Sequence, residues 1–289
     1  MMVKFYNWYG GKQRMVPIIR WLLPEYKSYY EVFMGSASLL LNTARCEREV
    51  LNDLDPDLAH LMGTLADRKK GKMLMEKLFH LEYGREVFEK AKDCAKSGYT
   101  GLSDIDRAVK VYVQITQSFN NTRKTFRKNI DTWKYQRDIL FDVPKAYKRL
   151  DGVEVWNRDA IDVLAEIKGK RDAFVFADPP YRHELRGKSA RKVYHCELSE
   201  SDQIRLLTTI RDAECKIMLC GYKAESGPDL YDRYLLPYGW HCYKLMDVPK
   251  SCQTKKDRDM AEEFIWVNYE LPHCARYKIT LKEDRRILK

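Results

Sequence analysis

An α/β fold on a mostly parallel sheet is what this 289-residue chain predicts, and three features carry the prediction. Short apolar stretches rich in β-branched and aromatic residues alternate with segments of helical apolar spacing. One of them, Ala173-Phe174-Val175-Phe176-Ala177, has no polar side to turn toward water. A long basic stretch of helical spacing interrupts the rhythm in the middle. Strands buried on both faces are how a parallel sheet covered by helices reads in sequence.

Taken in order, Tyr29-Tyr30-Glu31-Val32-Phe33 gives way to Met34-Gly35-Ser36-Ala37-Ser38 and Leu39-Leu40-Leu41. That succession predicts a strand, a tight turn and a helix start. Glu49-Val50-Leu51 predicts a second strand ending at Asn52-Asp53, with Pro56 suited to open the next helix. From 59 to 151 the spacing is helical, as in Ala108, Val109, Tyr112, Val113 and Ile115, with breaks near Gly98 to Gly101 and at Asn120-Asn121. This stretch is read as an insertion that divides a core of residues 1–58 and 152–289. The α/β rhythm resumes with a strand at Val153-Glu154-Val155-Trp156, a helix from Ala160 to Ile167 and the apolar strand Ala173 to Ala177. A helix around Asp202 to Ala213, a strand at Lys216-Ile217-Met218-Leu219-Cys220 and a late strand at Glu263-Phe264-Ile265-Trp266-Val267 complete the pattern.

Composition narrows the function classes. With 45% hydrophobic and 33% charged residues, the chain can bury a sizeable core. No stretch approaches the roughly 18 apolar residues of a membrane helix, and the N-terminus lacks the succession of a signal peptide. A cytoplasmic, nucleoid-associated location without a membrane partner is expected. The eight cysteines form no C-x-x-C pair, so neither a zinc site nor a disulfide framework is indicated, and no metal is expected. A net charge of +10 and a pI near 9.0 favour a polyanionic partner. The excess is concentrated, because residues 59–151 hold 20 Lys and Arg against 12 Asp and Glu.

In such a sheet, ligands collect at the carboxyl ends of the strands. Three predicted strand ends stand out: Phe33-Met34-Gly35-Ser36-Ala37, Asn52-Asp53 and Asp178-Pro179-Pro180-Tyr181. The tetrapeptide is the most specific of them. Its two prolines remove two backbone donors and fix two φ angles, which leaves carbonyls to accept from a ligand. That suits an amino group. The N6 amine of adenine is a poor nucleophile, because its lone pair is delocalised into the ring, so attack on a methyl sulfonium needs acceptors. The Asp178 carboxylate and the Pro179 carbonyl would take both N–H groups and favour a pyramidal nitrogen, while Tyr181 offers a face for stacking the base. Catalysis of this kind is positioning and electrostatics, without a metal or a covalent enzyme intermediate. The structural alternative is a proline-rich turn leaving a strand.

These motifs, in this order, resemble the Dam-like, D12-class adenine-N6 DNA methyltransferases. Trp8-Tyr9-Gly10-Gly11-Lys12 is similar to the family's first cofactor motif, and Glu31-Val32-Phe33-Met34-Gly35-Ser36-Ala37-Ser38 to its glycine loop. Asn52-Asp53 is similar to the acidic strand end that holds the cofactor ribose, and Asp178 to Tyr181 to the catalytic tetrapeptide. Tyr194 with Glu197-Leu198 and the closing Glu262 to Tyr269 are family-like too. The resemblance spans nearly the whole chain, loosely through the middle.

It implies a Rossmann-like class I methyltransferase core with a helical DNA-recognition insertion, S-adenosyl-L-methionine as methyl donor and double-stranded DNA as partner. The implied catalytic residues are Asp178, Pro179, Pro180 and Tyr181. The implied cofactor residues are Trp8, Gly10, Gly11, Lys12, Glu31, Phe33, Gly35, Ser36, Ala37, Ser38, Asp53, Asp159 and Asp178. Physical alternatives stand beside several of these. Gly35 is either a close approach to the cofactor or a turn glycine; Asp53 and Asp159 are either cofactor contacts or helix caps. Lys12 meets the cofactor carboxylate or DNA, or is simply solvated. Two positions depart from the family pattern: the loop Met34-Gly35-Ser36-Ala37 lacks a second glycine that is often present, and Asn7 precedes Trp8 where relatives that methylate GATC carry a lysine. Their target sequence is therefore not carried over.

An adenine inside a duplex cannot reach such a pocket, so base flipping is implied. Two basic segments are expected to hold DNA: Asn120-Asn121-Thr122-Arg123-Lys124-Thr125-Phe126-Arg127-Lys128, and Arg182 to Lys192 with Tyr194 beyond it. The contacts expected are Asn120, Asn121, Arg123, Lys124 and Arg127 from the first, and Arg186, Lys188, Arg191, Lys192 and Tyr194 from the second. Each segment is otherwise a solvated charged loop. A monomer or weak dimer is expected, and the sequence does not specify a cognate restriction endonuclease. Cytosine-N4 methylation and a catalytically silent DNA-binding relative are the competing readings.

Overall fold

The structure is a computed structural model that describes residues 2–186, 196–224, 229–249 and 260–273. Seven strands, β1 (Ser28–Glu31), β2 (Arg48–Asn52), β3 (Glu154–Trp156), β4 (Ala173–Ala177), β5 (Lys216–Tyr222), β6 (His241–Pro249) and β7 (Met260–Val267), form one sheet in the order β3-β2-β1-β4-β5-β7-β6. Among the described residues no helix is long and apolar enough to cross a membrane. The chain divides into two compact units, one of Met1–Gln13, Met34–Ala44 and Glu49–Arg158, the other of Arg14–Phe33, Arg45–Arg48 and Asp159–Lys289.

In the first unit β2 runs parallel to β3, with Leu51 opposite Val155 and Asn52 opposite Trp156. Helix α2 (Pro56–Ala66) starts where Pro56 occupies its first turn and the Asp55 side chain accepts from the Asp57 and Leu58 amides. The basic stretch folds as predicted into helices: α3 (Arg68–Phe79), α4 (Arg85–Lys96), α5 (Asp104–Thr116) and α6 (Thr132–Leu150). Phe88 and Ala91 of α4 pack on Val113 of α5, with Phe126 of the following loop against them. Arg149 of α6 grips Glu49 of β2 through both terminal guanidinium nitrogens, at 2.7 and 2.6 Å. The helix expected after Ser38 shrinks to a single 3-10 turn, Leu40–Asn42. Asn42 explains the difference: its amide donates to the Val3 and Ser38 carbonyls and accepts from the Val3 amide, so its side chain competes with helix continuation.

In the second unit β1, β4 and β5 run parallel, β7 pairs antiparallel to β5, and β6 pairs antiparallel to β7. All five residues of β4 are buried, as its apolar run requires. Short helices α1 (Val16–Ile19), α7 (Ala160–Ile167), α8 (Glu200–Ile210) and α9 (Leu230–Leu235) accompany the strands. Helix α8 opens with a capping box of Ser199 and Asp202, and so begins before the Asp202 expected from its apolar spacing. Strand β6 was not legible, because His241, Lys244 and Asp247 break its apolar pattern at the sheet edge and a bulge lies between Lys244 and Met246.

Candidate active site

At the end of β2 the main chain builds the site. Asn52 is fully buried, and its side-chain amide both donates to the Arg158 carbonyl and accepts from the Arg158 amide at 3.0 Å, which finishes β2 and β3 together. Asp53 follows. Its two carboxylate oxygens accept from the Gly35 and Asp55 amides, each at 3.0 Å. Burial pushes this carboxyl up to about 6, with the two amides pulling the other way. At neutral pH it is an anion whose remaining lone pairs suit the two hydroxyls of a ribose.

The loop before it needs unusual backbone. Gly35 has φ +46°, and a Cβ there would stand 2.8 Å from Cδ1 of Trp8, so only glycine fits. The Tyr6 hydroxyl donates to the Gly35 carbonyl at 2.8 Å. Ala37 holds φ +49° while wholly buried, so this residue meets with a Cβ the demand that glycine meets without strain. The Ser36 and Ser38 hydroxyls lie 2.8 Å apart. Gly10 also has positive φ, a Cβ on Gly11 would lie 3.1 Å from the Trp8 carbonyl, and Lys12 is buried with its ammonium on the Gly10 carbonyl at 3.2 Å. Lys12 is therefore not the solvated lysine of the alternative reading.

The basic segment after α5 closes on itself, with Phe119 N donating to the Thr125 carbonyl and Ser118 bridged to Phe126. Asn120, Asn121 and Arg123 all take positive φ, and the Asn121 amide donates to the Ile115 carbonyl at 3.1 Å. Arg123 points inward. Its guanidinium pairs with Asp55 and Asp57 and sits 5.8 Å from the Trp8 ring. Lys124, Arg127 and Lys128 are exposed.

The second unit holds the other strand ends. The strand order reverses between β1 and β4, and that reversal is where open α/β sheets bind ligands. Glu31 closes β1 opposite Phe176, buried, and accepts from the Tyr29 hydroxyl at 3.0 Å; half-buried Phe33 follows. Asp178 begins the turn that leaves β4. Gln203 of α8 donates to the Pro180 carbonyl at 2.8 Å and accepts from the Tyr231 hydroxyl at 2.7 Å. The Tyr181 hydroxyl donates to Glu263 of β7, and its ring meets Tyr222 edge-on at 4.6 Å. Burial, then the Asp178 charge, push the Tyr181 phenol well above its ordinary range, so it stays a donor. Asp178, Cys220 and Glu263 bring one ligand atom each within 4.8 Å of one another.

Asp159 caps α7 through the Ile161 amide at 2.7 Å and pairs with Arg205 at 2.7 Å. Arg182 pairs with Asp229 at 2.5 Å, and buried Arg186 with Glu197 at 2.8 Å. Lys188, Arg191, Lys192 and Tyr194 lie outside the described residues.

The first unit thus gathers Trp8, Gly10, Gly11, Lys12, Gly35 to Ser38 and Asp53, and the second Glu31, Phe33 and Asp178 to Tyr181. Gln203 and Glu263 join these groups without having been singled out as site residues. A signal existed for both. Gln203 lies on the stripe of Leu206, Leu207 and Ile210, and Glu263 on the inward phase of Ala261, Ile265 and Val267, polar residues where the pattern asks for apolar ones.

A seven-stranded sheet in this order, with one antiparallel strand let in beside the edge and a D-P-P-Y turn at the switch point, defines a class I methyltransferase. A family model described as D12 class N6 adenine-specific DNA methyltransferase matches residues 8–245, and the chain belongs to that family. It is 23% identical over 279 residues to the type II methyltransferase M1.LlaDCHI of Lactococcus lactis subsp. cremoris, covering 92% of this chain and 95% of the relative. It is 22% identical to the type II methyltransferase M.MjaIII of Methanocaldococcus jannaschii, covering 92% and 98%. The DNA adenine methylase of Escherichia coli K12 is 28% identical over 126 residues, 44% of this chain and 37% of that protein.

Proposed function

We propose that the chain transfers the methyl group of S-adenosyl-L-methionine to the N6 amine of an adenine flipped out of double-stranded DNA. The observation that carries the reading is the braced turn Asp178 to Tyr181, held at the switch point by Gln203 and Glu263. When bound, the cofactor supplies an electrophilic methyl group on a positively charged sulfur. Asp53 holds the ribose hydroxyls, and the Gly35 loop with Trp8, Gly10 and Gly11 admits the cofactor close to the main chain. Asp178 and the Pro179 carbonyl accept the two N–H groups of the amine, and Tyr181 stacks on the base.

Residues 59–151 act as the target-recognition domain. Exposed Lys124 and Arg127, with Lys128, meet phosphates, and Asn120 and Asn121 shape the loop that presents them. Arg123 and Arg186, paired with Asp55 and Glu197, are structural in this reading and do not touch phosphate. The protein works in the cytoplasm, at the nucleoid, as a monomer or weak dimer.

Expression in a methylation-free strain, followed by nucleoside analysis and mapping of methylated positions, tests the reading. N6-methyladenine at one recurring sequence is expected, and Asp178→Ala should lower transfer by about 10²- to 10³-fold. N4-methylcytosine would move the reading to the cytosine amine, and cofactor binding without turnover to a silent relative.

A further inference from the structure

Strand β7 carries a carboxylate where its pleat calls for an apolar side chain. Ala261, Ile265 and Val267 share the inward phase with Glu263, and all four are buried, Glu263 to 1% exposure. A buried carboxylate costs several kcal/mol unless it is well partnered, so its position asks for a function. One partner is the hydroxyl of Tyr181, 82 residues earlier.

The neighbours show what that bond does. Glu263 stands opposite Tyr222 in the β5–β7 register, and the Tyr222 ring meets the Tyr181 ring at 4.6 Å and 68°. Tyr181 is thereby held at two points, its ring by Tyr222 and its far end by Glu263. A tyrosine side chain turns about only two torsions, so these contacts set the direction of the ring face that the proposed base stacks on. Gln203 fixes the main chain of the same turn from another side through the Pro180 carbonyl.

We propose that Glu263 is a positioning residue of methyl transfer, acting through the Tyr181 hydroxyl to set the ring against which the target base is held. The inference rests on the reading of Asp178 to Tyr181 as the base-holding turn. Glu263→Gln keeps an acceptor for the hydroxyl, whereas Glu263→Leu fills the space without one and removes a buried charge, so Tm is measured beside activity.

The test measures kcat, KM for unmethylated genomic DNA, cofactor Kd and Tm for the full chain. Glu263→Leu should lose about 10- to 100-fold in kcat, with cofactor Kd and Tm unchanged or Tm raised. Glu263→Gln should stay within about threefold of the parent, equivalent to about 0.7 kcal/mol, because an acceptor for the hydroxyl is kept. In Tyr181→Phe the hydroxyl is already gone, so adding Glu263→Leu should cost nothing further. Parent-level kcat in Glu263→Leu, additive losses in the double variant, or activity that merely follows Tm would overturn the proposal. Methylcytosine as the parent's product would overturn the adenine assignment alone and leave the Glu263 effect standing; a parent without turnover would overturn both.

Discussion

The ends of β2 and β4 solve the same problem in different ways. At β2 the acidic residue is held by main-chain amides from its own loop and from the glycine turn, Asp55 N and Gly35 N on Asp53. At β4 the turn is held by side chains from distant elements, Gln203 of α8 and Glu263 of β7. Two prolines leave the β4 turn few amides of its own to donate, so its order has to be imported. Backbone-held sites are rigid to side-chain exchange and sensitive to φ; side-chain-held sites behave the other way round.

Arg123 is the sharpest way to break that contrast, because it is a distant side chain serving the β2 end. Arg123→Ala removes the cation that Asp55 and Asp57 share and should lower stability by about 3 kcal/mol in denaturant unfolding. Exposed Arg127→Ala should leave stability within about 0.5 kcal/mol while lowering the salt slope of DNA binding by about one. Equal stability in the two variants would refute the stabilising role of the Arg123 pairs with Asp55 and Asp57. Gly35→Ala tests the backbone side. Forced φ and the approach to Trp8 should cost about 2 kcal/mol and weaken cofactor binding, as calorimetric titration would show.

A pH titration reaches the same cluster with a smaller effect. Because burial raises the folded Asp53 value from 3.8 to about 6, the folded chain binds more protons than the unfolded one between those values. This group's contribution to stability therefore falls as pH rises through that window and is flat above it. Cofactor affinity should run the opposite way, rising through pH ~6 as the carboxylate ionises and becomes the better acceptor for hydroxyls. Asp53→Asn should abolish both trends, and a flat affinity profile in the parent would remove Asp53 from the ribose. The smallest effect is a gain: Ala37→Gly relieves a positive φ and should stabilise by up to about 1 kcal/mol, read as a rise in Tm.

Much of the architecture was legible because its signals are local. The helix Ala160–Ile167 and the strand Ala173–Ala177 begin and end where the spacing of apolar residues places them. The basic stretch is helical, as its period predicts. Strand β6 and the collapse of the Leu39 to Leu41 helix were not legible, since one depends on pairing with β7 and the other on Asn42 reaching back to Val3. Arg123 shows the limit most clearly: its neighbours Lys124 and Arg127 are exposed cations, yet nothing in its surroundings along the chain marks it as the one that turns inward.

The sequence by itself determined the ends of β2 and β4, the glycine turn and the tetrapeptide, because each is a contiguous run whose chemistry follows from residue types at fixed spacing. Tertiary structure alone decided which charges are spent inside the protein and which remain for a ligand. Pairs such as Pro180 with Gln203, Arg123 with Asp55 and Tyr181 with Glu263 join positions 23, 68 and 82 residues apart. Contacts at such separations exist only once the chain has folded, for a carboxylate reads the same in sequence whether it faces water or the hydroxyl of a buried tyrosine.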